Sequence, residues 1–133
     1  MGKGKTSPIS AVDVARAVSV VLENPTPHIG KIYNLTGFES ADLEHYARVF
    51  SGALGRTILY RDVPLSDWSE KLLGAGVPAH IVKHLSVMTE LNKQGRYDRM
   101  TDDLFNLTGQ KPISMYEFVK LHATEFTRVG AAG

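Results

Sequence analysis

The chain has 133 residues, with fifteen basic and fourteen acidic side chains, five histidines and no cysteine. This length fits one domain that buries roughly two thirds of the surface its unfolded chain exposes, and the lack of cysteine excludes disulfides, thiolate nucleophiles and thiolate zinc sites. The charges are scattered, without the basic stripe that nucleic acid requires, and the most apolar run, residues 17–22, falls far short of the roughly 20 residues that cross a bilayer, so the expectation is a cytoplasmic protein with neither nucleic acid nor membrane as partner.

Residues 1–8 are polar and glycine-bearing, and a mobile tail is expected there. Ser10, with Asp13 three residues on, opens a helix whose apolar positions Val14, Ala15, Val18, Val21 and Leu22 recur at helical spacing until Asn24 and Pro25. "GKIYNLTG" then places Ile32, Tyr33 and Leu35 in a strand bounded by Gly30 and Gly37. Ser40 is the expected cap of a second helix along Leu43, Tyr46, Ala47, Phe50 and Leu54, stopped by Gly55. "TILYRDVP" predicts another strand, with Ile58, Tyr60 and Asp62 on one side and Leu59, Arg61 and Val63 on the other.

Ser66 is expected to cap a short helix through Trp68 and Leu72, and Pro78 suits the first turn of a longer one with Ile81, Val82, Leu85 and Met88 as its stripe. Thr101 is the expected cap of a further short helix, with Asp102 and Asp103 in its positive first turn and Gly109 at its end. Ser114 and Glu117 form a capping box for a last helix through Phe126. The fold class predicted is α+β and helix-rich, with two or three short strands and five or six helices. One unit spans residues 9–127, between flexible tails at 1–8 and 128–133.

Several motifs promise chemistry that their context withholds. Gly4, Lys5 and Thr6 match the end of a phosphate-binding loop, but the glycine and strand that should precede them are missing. No GxGxxG follows any predicted strand. Tyr116 and Lys120 match the YxxxK of short-chain dehydrogenases, yet Tyr116 adjoins a capping box and is read as a packing or surface residue. His80 and His84 share a helix face but lack a third ligand, so no metal is expected. "NLTG" occurs at residues 34–37 and again at 106–109; with nothing else recurring, the pair is read as two turns whose glycines permit positive φ.

With these elements in place, "DVARA", "GKIYNLTG", "ESADLEHYA", "ALGR" leading into "ILYRDVP", and "NLTGQKPISMYEFV" occur in one order and spacing. The stretch from Ile9 to Phe126 resembles the C-terminal, substrate-side half of NmrA-like proteins, atypical relatives of the short-chain dehydrogenases. The resemblance implies that an N-terminal Rossmann half supplies the family's nucleotide contacts, and none of those positions is present to carry them onto. It therefore implies a noncatalytic lobe from a truncated gene or gene cassette, with no cofactor of its own and NADP only if a separate Rossmann chain completes an oxidoreductase resembling a quinone reductase. A surface meant to be covered predicts a homodimer or higher homo-oligomer. The ligand-binding residues expected in a cleft for a small apolar or aromatic molecule are Tyr60, Trp68, His84, Met88 and Tyr97.

Overall fold

The computed structural model describes residues 2–128. Helix α1 (Ala11–Glu23) is followed by a 3-10 turn at Thr26–His28, then by α2 (Leu43–Leu54), α3 (Leu65–Gly74) and α4 (Ala79–Lys93). Three short helices close the chain: α5 (Asp103–Thr108), α6 (Met115–Leu121) and α7 (Ala123–Arg128). Helix α2 packs on α6, α1 on α5 and α3 on α4. Leu104 of α5 and Val119 of α6 are the largest apolar side chains to be fully buried, so the short C-terminal helices supply the centre of the core.

The predicted strands do not form a sheet among the described residues. Residues 31–37 and 57–64 carry no ladder, and the one bridge is antiparallel, between Thr6 and Ala41. A strand exists only through a neighbour that takes its N–H and C=O groups, and neither segment has another strand beside it. Side chains bind them instead: the Ile58 N–H donates to Ser51 Oγ at 2.8 Å, and the Asn34 N–H donates to Asp103 Oδ2 at 2.7 Å. Alternation along 58–61 persists without a ladder, because Ile58 and Tyr60 are half-buried while Leu59 and Arg61 are exposed.

The helix ends follow local chemistry, with some changes of residue. Ser10 caps α1 and Ser114 caps α6 with a complete capping box, both as expected. Asp42, not Ser40, caps α2, because its carboxylate accepts from the His45 N–H at 2.8 Å. Pro64 rather than Ser66 precedes α3, and Asp102 rather than Thr101 precedes α5. Thr101 serves a tertiary contact instead: its hydroxyl donates to the Asn34 carbonyl. The last predicted helix breaks at His122, which lets Phe126 of α7 meet Phe50 of α2 edge to face, with ring centroids 5.2 Å apart.

Residues 2–7 carry tertiary contacts where a tail was expected. The Asn92 amide donates to the Lys5 carbonyl at 3.0 Å, Gly4 is buried against Asn92, and the Gly37 N–H donates to the Ser7 carbonyl at 3.1 Å. Lys5 and Thr6 thus lie in a strap across α4 and the segment before α2, an arrangement unlike a phosphate-binding loop. Residues 129–133, most of the second expected tail, lie outside the described residues.

The two "NLTG" copies sit in unlike settings. Thr36 is buried, donates to the Thr101 carbonyl at 3.2 Å and accepts from the Thr101 N–H at 3.1 Å. The first copy therefore docks on the start of the helix that ends in the second. Thr108 in the second copy stays local and donates to Leu104 one turn back at 2.7 Å. Their glycines differ as well: Gly109 has a φ of 68°, whereas Gly37 has no positive φ. What Gly37 supplies is space, since a methyl there would lie 1.8 Å from the Pro8 carbonyl oxygen.

Candidate functional site

A cleft of about 170 Å³ opens where the 57–64 segment crosses α3 and α4. Pro64 turns the chain from that segment directly into α3, which brings Val63, Leu65 and Trp68 to one wall. Leu43, at the start of α2, contributes a second apolar side. Helix α4 closes the floor with Thr89 and Lys93, one turn apart. Helices α3 and α4 are held at this spacing by their serines, whose hydroxyls, Ser69 and Ser86, lie 3.1 Å apart.

The polar groups of the cleft are unequally occupied. Tyr60 donates its hydroxyl to Asp62 Oδ1 at 2.8 Å, and the same oxygen accepts from the Gly2 N–H at 3.0 Å. Burial, then the bond to Asp62 and its charge, pushes the Tyr60 phenol up to about 12, so it stays protonated at neutral pH and its proton is committed. Arg61 and Lys93 also line the cleft, and neither has a carboxylate within ion-pair distance among the described residues. Thr89 is 93% buried, since 7% of it is exposed, and its hydroxyl has no hydrogen-bond partner among the described residues. A wider depression of about 590 Å³ lies nearby, reaching Tyr60 and Asp62 together with Leu59, and carries Lys3, Asp42, Glu44 and Arg48.

Of the five residues expected in a cleft, the structure brings together Tyr60 and Trp68. His84 and Met88 sit on α4 but point elsewhere, both exposed, and Tyr97 follows that helix without reaching the cleft. The reason is the rotation of α4. Of the expected stripe, Ile81, Val82, Leu85 and Met88, the helix buries Val82 as expected, leaves Leu85 half-buried and Ile81 and Met88 exposed, and buries Thr89 and Asn92 instead. The spacing Val82, Ser86, Thr89, Lys93 was available as a helical series, but its polar members masked it. His80 and His84 are both exposed, and no group of three metal-ligating residues occurs among the described residues.

The YxxxK pair is a surface pair. Both side chains are exposed, with Lys120 Nζ 5.8 Å from the centroid of the Tyr116 ring. The described residues also offer no strand, glycine loop and helix in succession. Among the described residues no helix is long and apolar enough to cross a membrane.

The comparisons with known proteins find relatives that the chain matches over part of their length. No family model matches the chain. It is 29% identical over 126 residues to the uncharacterized oxidoreductase YesF of Bacillus subtilis, covering 95% of this chain and 44% of that protein. It is 27% identical to festuclavine dehydrogenase of Aspergillus fumigatus, covering 96% and 44% of the two chains. Among solved structures, a nucleoside-diphosphate-sugar epimerase from Staphylococcus aureus matches with a TM-score of 0.81 at 28% identity, over 90% of this chain and 41% of that one. An NADPH-dependent quinone oxidoreductase from Escherichia coli shares the fold with a TM-score of 0.81 at 23% identity, over 90% and 43%. The chain thus spans less than half the length of the relatives it matches. Over that span the chain is similar to NmrA-like, NAD(P)-dependent oxidoreductases, and the partial coverage is consistent with a C-terminal fragment of such a protein.

Proposed function

We propose that this chain is the ligand-binding lobe of an NmrA-like protein, noncatalytic on its own, which holds a small aromatic or apolar molecule in the cleft between residues 60–63, α3 and α4. The observation that carries the reading is the cleft itself: an aromatic-walled hollow with Thr89, a largely buried residue whose hydroxyl has no hydrogen-bond partner among the described residues, at its floor. Replacement of Trp68 by alanine is expected to weaken binding of a single-ring probe such as benzyl alcohol at least tenfold. The same substitution should cost about 1–2 kcal/mol of stability, below the 3–5 kcal/mol of a fully buried aromatic, because Trp68 is only half-buried. A loss of folding as large as a core aromatic's, with no change in affinity, would return Trp68 to a packing role.

A second reading is supported by the unladdered segments 31–37 and 57–64 and by the exposure of Ile29, Ile32 and Leu59, at 79%, 87% and 84%. Such edges and side chains suit cover by another polypeptide, either a second copy of this chain or a nucleotide-binding half that completes an NAD(P)H-dependent oxidoreductase. NADPH titrated calorimetrically against the chain alone is expected to give no saturable heat. Micromolar binding would contradict the noncatalytic reading. Light scattering at micromolar concentration is expected to return a dimer or larger assembly, and a monodisperse monomer would remove self-association.

A further inference from the structure

We propose that the cleft selects a single aromatic ring bearing an anionic substituent, a benzoate-like molecule whose charged group meets Lys93 and Thr89 while its ring lies against Trp68. The inference rests on the ligand-binding reading above and adds the chemical class.

Size limits the ligand first. A dry apolar cavity of about 150 Å³ accepts benzene, so about 170 Å³ admits one ring and a small substituent. The three rings of a triphenylmethane dye, which names the substrate of one structural relative, exceed it. The walls fit a ring: Leu43, Val63, Leu65 and the Trp68 indole surround the space.

Charge then sets the substituent. Three charged side chains line the cleft: Arg61, Asp62 and Lys93. Asp62 Oδ1 already accepts from Tyr60 and Gly2, whereas both cations lack an ion-pair partner among the described residues. The balance therefore favours a negative ligand group. The Thr89 hydroxyl, without a hydrogen-bond partner among the described residues and one helical turn from Lys93, provides a neutral donor that a carboxylate would satisfy. Tyr60 cannot serve as that donor while its proton is given to Asp62.

The test uses Trp68, the chain's one tryptophan, as reporter. Benzoate, benzyl alcohol and benzylamine are titrated against the full chain while indole fluorescence is followed. Benzoate is expected to bind saturably and at least tenfold more tightly than benzyl alcohol, with benzylamine weakest. Lys93→Met should erase most of the preference for benzoate and leave benzyl alcohol within twofold. Thr89→Val should weaken benzoate a further fivefold or more, with circular dichroism confirming that both variants fold. Equal binding of benzoate and benzyl alcohol, or a benzoate affinity indifferent to Lys93→Met, overturns the anion selectivity and leaves the cleft as a neutral-ring site. If none of the three compounds binds, the ligand-binding reading fails with it.

Discussion

Replacing Asp13 by alanine is expected to destabilise the fold by about 3 kcal/mol, the low end of the cost of breaking a buried charge pair, because Asp13 is buried while Arg16 is half-buried. Asp13 is 1% exposed at the head of α1 and gathers three parts of the chain. Its carboxylate accepts from the Ser10 hydroxyl at 2.9 Å, from the Arg16 guanidinium one turn on, and from the Ile113 N–H at 3.0 Å, a hundred residues away. The alanine variant would strand the Ile113 N–H and leave Arg16, one of whose nitrogens is already buried without a partner, with no counter-charge. Asn at the same position keeps an acceptor of the same shape and should cost roughly half as much, since a neutral hydrogen bond is weaker than a charge-assisted one. Urea denaturation measures both, provided the slope is unchanged. A loss below about 1 kcal/mol for Asp13→Ala would remove Asp13 as an anchor, because that is the ordinary cost of a surface cap. The same observation gives the "DVARA" stretch a structural meaning: its acid ties α1 to the entry of α6 and reaches no cleft.

The second large effect is expected at Gly37. Gly37→Ala would place a carbon 1.8 Å from the Pro8 oxygen and 2.6 Å from its carbonyl carbon. Both are backbone atoms, so relief requires the 4–9 strap to move from the 36–37 segment, at the expense of the bond from the Gly37 N–H to Ser7. Overpacking of about 1–3 kcal/mol and a lost hydrogen bond of about 1 kcal/mol together predict roughly 3 kcal/mol. Gly109→Ala, in the other copy of the same tetrapeptide, meets nothing within 4 Å and suffers only from its φ of 68°. It should cost about 1–2 kcal/mol, the penalty of a left-handed alanine. Paired thermal melts compare them directly, and equal losses would refute the distinction between close approach and positive φ.

Much of the helical content was legible from short-range signals. Ser10, Ser114 and Glu117 cap where their spacing says they should, because a cap needs only three residues and their own backbone. Gly55 and Gly109 end α2 and α5 in left-handed conformations for the same local reason. The failures lie where a partner decides. The 31–37 and 57–64 segments have strand composition, but composition cannot supply the neighbouring strand that would make a sheet. Thr101 looked like a cap and instead reaches Asn34, since its hydroxyl had a tertiary acceptor within range.

The candidate cleft divides along the same line. Tyr60 and Trp68 were legible as large side chains on segments leading into one turn at Pro64. Thr89 and Lys93 were not, because their place depends on which face α4 turns toward α3, and the Ser69–Ser86 contact that accompanies this choice joins residues seventeen apart. The sequence by itself determined the starts of α1 and α6, the ends of α2 and α5 and which family the chain resembles, products of local chemistry and of motif order. Only the tertiary structure decided which glycine is needed for room and which for its φ, which acid is an anchor, and which side of α4 faces a cavity, because each of these depends on atoms far away in the chain.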